Sequence, residues 1–224
     1  RGVEVVVGQT TLVTETLVPA PEILLVDADA GSGERIHPYV ARALADAGYA
    51  HDTWWGESPM DLPRTADLAR YDVVLWSHTY GSPGSPAGGP VTDEIMDRLT
   101  TYAAGGGGLL VSGQDIGTDG ADHARAAARA FFRDVLGARL VWPVTVERRL
   151  VGTGAFSGLS LELEWPTAHA KGRRLAPDVI DAVTEAGANR ILSYPDGTAA
   201  GVAVDEGRGR RIYLAFGPEG GGDR

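Results

Sequence analysis

The spacing of apolar residues changes along the chain, and each change predicts a different element. Val3-Glu4-Val5-Val6-Val7 and Thr10 to Leu17 are β-branched and partly alternating, which predicts a hairpin broken at Gly8-Gln9. Pro19-Ala20-Pro21 stiffens the backbone and cannot continue a sheet ladder, so a linker is expected over residues 19–22. Ile23-Leu24-Leu25-Val26 is a continuous apolar run of the kind buried on both faces of a parallel sheet. Ile36, Val40, Leu44 and Ala47 then recur at helical spacing up to Gly48. Strands are predicted over residues 49–55, 72–76 and 109–112, with a helix capped by Thr92 or Asp93 that ends at the glycine run 105–108. A further helix is predicted over residues 121–136, with Phe131 and Phe132 toward the sheet.

Strand and helix alternating in this way predict an α/β fold with a mostly parallel central sheet covered on both faces. The pattern then shifts. Residues 140–151, 159–163, 190–194, 201–204 and 211–216 read as strands joined by short turns, Asp196-Gly197 among them. Extra antiparallel strands are therefore expected in the C-terminal half.

Composition narrows the partners. The 224 residues carry a net charge of −10, which repels nucleic-acid backbones and anionic membranes. There is no cysteine, so disulfides, thiolate metal sites and a cysteine nucleophile are excluded. No apolar stretch is long enough to span a bilayer. The chain opens at Arg1 without a leader, which reads as an excised piece of a longer protein.

Chemistry in an open α/β sheet gathers beyond the carboxyl ends of the strands. The groups expected there are Asp27 and Asp29, Ser77 and His78, Asp115, and Glu219. Gly113-Gln114-Asp115-Ile116-Gly117, directly after Leu109-Leu110-Val111, has the outline of a nucleophile elbow with an aspartate at its apex. Residues 22–219 resemble a class I glutamine amidotransferase-like domain of flavodoxin-like fold, a three-layer sandwich. In that family the elbow is Gly-x-Cys-x-Gly and a late strand ends in Phe-His-Pro-Glu. This chain has Phe216-Gly217-Pro218-Glu219. The resemblance puts Asp115 at the nucleophile position, Gly217 at the general-base position and Glu219 at the orienting carboxylate. Glycine accepts no proton and a carboxylate is a poor acyl acceptor, so amidotransferase activity is expected to be lost.

The same residues suit other arrangements. The run to Asp27-Ala28-Asp29 resembles the first strand of a response-regulator receiver, but Ser77 stands where the phosphoacceptor aspartate belongs. Asp27, Asp29, Asp115, Asp119, Asp122 and His123 are oxygen and imidazole donors suited to a cation such as Ca²⁺, and aspartates serve equally as helix caps and turn formers. No other cofactor is expected. Ser77, His78 and Asp115 match a hydrolase triad by type, yet neighbours on a strand point to opposite faces. Trp55, His78, Tyr80, Gln114 and Asp115, beside the Gly/Pro/Ser loop 81–90, are expected to line a ligand cleft.

Ile23-Leu24-Leu25-Val26-Asp27, Tyr71-Asp72-Val73-Val74, Ser112-Gly113-Gln114-Asp115-Ile116 and Tyr194-Pro195-Asp196-Gly197-Thr198 resemble the modules appended to secreted bacterial subtilisin-like peptidases. Residues 1–18 resemble the closing strands of a carboxypeptidase-regulatory-like β-sandwich. The resemblance implies an extracellular, noncatalytic accessory domain over residues 23–224, cut before a last helix. Its implied partners are the other domains of the parent polypeptide and a peptide or polysaccharide. The alternative is a hydrolase centred on Asp115, with His78, His123 or a bound cation.

Overall fold

The computed structural model describes residues 21–28, 37–55, 61–80, 92–114, 116–117, 126–143, 145–163, 177–206 and 209–217. The expected N-terminal hairpin, the loop 81–90, and Asp29, Asp115, Asp119, Asp122, His123 and Glu219 lie outside the described residues.

The parallel half is built first. β1 (Ile23–Asp27) is buried along its whole length, as its unbroken apolar run requires. It lies between β2 (Asp52–Trp55) and β3 (Val73–Tyr80), and β3 pairs in turn with β4 (Gly108–Gln114), all parallel. α1 (His37–Asp46), the short α2 (Thr65–Leu68), α3 (Asp93–Ala104) and α4 (Ala126–Ala130) follow these strands. Thr92 caps α3, its hydroxyl accepting the Ile95 N–H at 3.3 Å. α4 runs into a π-helical turn, Phe131–Val135, that turns both phenylalanines into the core.

β5 (Ala138–Trp142), β6 (Arg149–Gly152), β7 (Ser160–Glu162), β8 (Val179–Ala182), β9 (Ala188–Ser193), β10 (Ala199–Glu206) and β11 (Gly209–Leu214) complete one sheet. Its order is β2-β1-β3-β4-β11-β10-β9-β6-β7, with β8 pairing both β10 and β5. β11 joins β4 in parallel and so supplies the fifth strand of a flavodoxin-like 2-1-3-4-5 arrangement, while every pairing from β10 outward is antiparallel. The chain therefore makes its antiparallel extension before returning to close the parallel core.

Three expectations change. The strand expected over residues 140–151 is two strands, because Pro143 ends β5 and the Glu147 carboxylate accepts the N–H groups of Arg148 and Arg149 in a local turn. β3 runs four residues past Trp76. β8 has no counterpart among the predicted strands.

Apolar residues of β1, β3 and β4 (Leu24, Val26, Val74, Trp76, Leu109, Val111) pack against Ile95, Met96 and Leu99 of α3 and against Phe131 and Phe132. Phe132 meets Tyr213 of β11 edge to face, with ring centroids 5.3 Å apart. A second cluster, including Leu150, Leu163, Leu192, Tyr194 and Phe216, anchors the antiparallel strands. No described helix is long and apolar enough to cross a membrane.

Candidate functional site at the carboxyl ends of the parallel strands

At the carboxyl ends the apolar rows give way to polar ones. Asp27, Ser77 and Ser112 fall in register across β1, β3 and β4, and all three are buried. Register in a parallel sheet puts them on one face, and the two hydroxyl groups meet at 3.1 Å. The Asp27 carboxylate caps α1: its Oδ2 accepts the main-chain N–H of His37 at 3.1 Å and lies 2.8 Å from His37 Nδ1. A carboxylate at a helix N-terminus meets both orphan N–H groups and the positive end of the helix dipole. Asp27, at the end of β1, thus ties α1 to the sheet.

His78 is the next residue on β3, and alternation sends it to the opposite face from Ser77. Its Nδ1 is sealed from solvent and has no hydrogen-bond partner among the described residues. Burial lowers its pKa to about 4, against a partial opposing pull from Asp27 and from its own backbone. The ring is accordingly neutral at pH 7. Its main chain also fixes the neighbouring strand. A Cβ on Gly113, where φ is +154°, would sit 1.7 Å from the His78 carbonyl oxygen. Only glycine lets β4 pass this close to β3, and the β3/β4 register shifts beyond Ser77.

The elbow is held from the antiparallel half. Asp178, just before β8, is completely buried, and its Oδ2 accepts the Gly117 N–H at 2.8 Å. A Cβ on Gly117 would stand 2.7 Å from that same oxygen, so the small residue at the end of the elbow admits the carboxylate. Asp178 is itself placed by its own N–H to the Ala215 carbonyl at 3.0 Å and by the Tyr194 hydroxyl, which donates to its carbonyl at 3.1 Å. Burial, with the Asp178 charge next in weight, raises the Tyr194 pKa and keeps the phenol a donor. Gly217, three residues past β11 and expected from the resemblance at the general-base position, is buried too.

Of the residues expected in a cleft, Gln114 is buried and pairs in register with Tyr80, whereas Trp55 is 45% exposed at the end of the edge strand β2. β1 and β3 stand between Trp55 and the strand of the elbow, so these residues are not brought into one described cluster. Ser77 pairs with Ser112 rather than with His78. Among the described residues no group of three or more His, Asp or Glu side chains is placed to hold a metal ion. Two groups escaped the sequence reading. His37 was hidden because helical periodicity reads apolar positions only. Asp178 was hidden because its partner lies 61 residues away.

No family model matches the chain, and no curated protein matches it. Solved structures do match in shape. A glutamine amidotransferase from Thermotoga maritima is similar over 90% of this chain and 77% of its own, with TM-score 0.53 and 13% identity. The carbohydrate deacetylase Agd3 is similar over 88% of this chain with TM-score 0.52 and 14% identity. An exo-β-1,4-mannosidase from Opitutaceae bacterium strain TAV5 is similar over 88%, with TM-score 0.50 and 12% identity. The chain spans 29% of the deacetylase and 31% of the mannosidase. At such identities the likeness is one of fold: the chain has a class I glutamine amidotransferase-like α/β fold, with a central largely parallel sheet extended by antiparallel strands.

Proposed function

We propose that this chain is a noncatalytic interaction or substrate-presenting domain of a larger secreted bacterial hydrolase, a subtilisin-like peptidase or a similar exoprotein. One observation carries the reading. Three residues past β11, at the position where the resemblance puts the amidotransferase general base, stands the buried Gly217, which has no side chain to accept a proton. The described polar groups near the ends of the strands support the same view, because Asp27, Ser77, Ser112 and Asp178 bond to other parts of the protein. The deacetylase and the mannosidase match over under a third of their lengths, which agrees with a domain inside a longer enzyme. The peptidase parent rests on the Ser112-Gly113-Gln114-Asp115-Ile116 resemblance.

The second reading is a hydrolase centred on Asp115, served by His78, His123 or a cation. A histidine with a pKa near 4 is a weak base at neutral pH, so this reading ranks below the first. Activity decides between them. The isolated domain is expected to release no ammonia from glutamine and no product from ester, peptide or glycoside substrates. Deleting it from the full-length protein is expected to leave kcat on a small soluble substrate unchanged and to raise KM for a macromolecular one. Hydrolysis by the domain that is abolished by Asp115→Ala would overturn the noncatalytic reading.

A further inference from the structure

Where α4 and its π turn cross β5 and the ends of β8 and β9, a cavity of about 860 Å³ opens. Its charged lining is Arg129, Arg133, Arg139 and Arg190 with Asp181 and Glu185, and between them lie Ala130, Ala138, Ala182 and Leu140. Four arginines against two carboxylates leave this hollow with an excess of positive charge in a chain of net charge −10.

The hollow already holds one carboxylate. Asp181 accepts from Arg139 Nη2 at 3.1 Å, and its other oxygen lies 3.9 Å from Arg190 Nε. Arg190 also donates to the Gly197 carbonyl at 2.5 Å, and Arg133 grips Asp134 through bonds of 2.6 and 2.8 Å. A guanidinium has more N–H groups than these bonds use. Arg133, Arg139 and Arg190 are each more than half exposed, so their pairs contribute little to stability and exchange readily.

We propose that this cavity binds an acidic peptide segment, whose carboxylates pair with Arg139 and Arg190 beside Asp181 and whose aliphatic side chains rest on the alanine floor. The proposal rests on the interaction-domain reading and names its ligand. Guanidinium forks match carboxylates in plane and spacing. β5, which contributes Ala138, Arg139 and Leu140 to the lining, pairs only with β8 among the described residues. A sugar ring would need an open aromatic face, and the ring of Phe132 at this wall is buried in the core.

Fluorescence anisotropy with a labelled peptide of alternating Glu and Ala tests this, with Gln/Ala and Lys/Ala peptides and oligogalacturonate as competitors. The Glu/Ala peptide is expected to bind at least ~10-fold more tightly than the Gln/Ala peptide and to weaken with added salt. Arg139→Ala with Arg190→Ala should weaken it by on the order of tenfold while thermal melting stays unchanged. Asp181→Asn, which removes the internal competitor, should tighten it, and Arg210→Ala on β11 should do nothing. Equal binding of the Gln/Ala peptide, preference for oligogalacturonate, absence of binding at low salt, or full binding by the double variant would each overturn the proposal. Failure here leaves the noncatalytic reading standing, and hydrolysis by the isolated domain would end that reading without touching peptide affinity.

Discussion

The carboxyl ends of the parallel strands and the arginine-lined hollow beside the antiparallel strands use charge in opposite ways. At the first, Asp27, Ser77, Ser112 and Asp178 are buried and bonded to other parts of the fold. At the second, Arg133, Arg139 and Arg190 hold their acids in view of solvent. Polar groups with little solvent around them must be satisfied within the protein, so they stabilise one structure and have little left for a ligand. Exposed groups stabilise little and remain available. The contrast separates strand ends whose polar groups are used within the fold from a surface where this chain has donors to spare.

Glycine substitutions give the widest separation. Gly113→Ala brings a Cβ to 1.7 Å from the His78 carbonyl and is expected to cost more than ~4 kcal/mol, enough to prevent folding. Gly187→Ala, before β9, has φ of +72° but nothing within 4 Å, and should cost about 1 kcal/mol. Denaturant unfolding of the two variants checks this. Comparable losses would mean that the close approach of β3 and β4 is not a constraint.

The buried and exposed aspartates differ in the same direction. Asp178→Ala strands the Gly117 N–H inside the protein and should cost about 3 kcal/mol. Asp181→Ala removes only half-exposed pairs and should cost less than about 1 kcal/mol. An Asp178→Ala variant as stable as wild type would show that the elbow does not depend on the antiparallel half.

Acid should also act on the buried end. In the unfolded chain His78 takes up its proton near pH 6.5, and in the folded protein, where burial opposes the charge, near 4. Between these values the unfolded chain holds the extra proton. The contribution is therefore complete above pH 6.5 and is lost as pH falls toward 4, by roughly 3 kcal/mol at most. Urea midpoints measured from pH 7 to 4 should fall in the wild type and fall less in His78→Asn. Parallel slopes would remove His78 from the account.

These differences mark what the sequence could disclose. The continuous run Ile23-Leu24-Leu25-Val26 and the capped, periodic α3 announce themselves, because burial on both faces and a one-sided helix each impose a local period. The Gly113-to-Gly117 spacing is visible in the sequence because it is contiguous, and Asp115 at its centre lies outside the described residues. Asp178 was not legible in this way, since nothing local distinguishes an aspartate whose partner comes from another part of the sheet. Nor was the division of residues 140–151, where Pro143 outweighed a favourable β pattern. The arginine hollow escaped because its members come from α4, its π turn, β5 and β9, elements that only the return of the chain through β8 brings together.

The smallest expected effect is also the most direct measure of the contrast. Ser77 and Ser112 share one hydrogen bond out of reach of water, so removing either hydroxyl leaves the other without that partner. A double-mutant cycle with Ser77→Ala and Ser112→Ala is expected to return a coupling of about 1 kcal/mol, with the double variant more stable than the sum of single losses predicts. Asp205 and Arg210 form an exposed 2.9 Å pair between β10 and β11 and should return only ~0.3 kcal/mol, falling further in salt. A larger coupling for the ionic pair than for the two hydroxyl groups would reverse the order that burial imposes, and the polar row at the strand ends would then be open to solvent and to ligands.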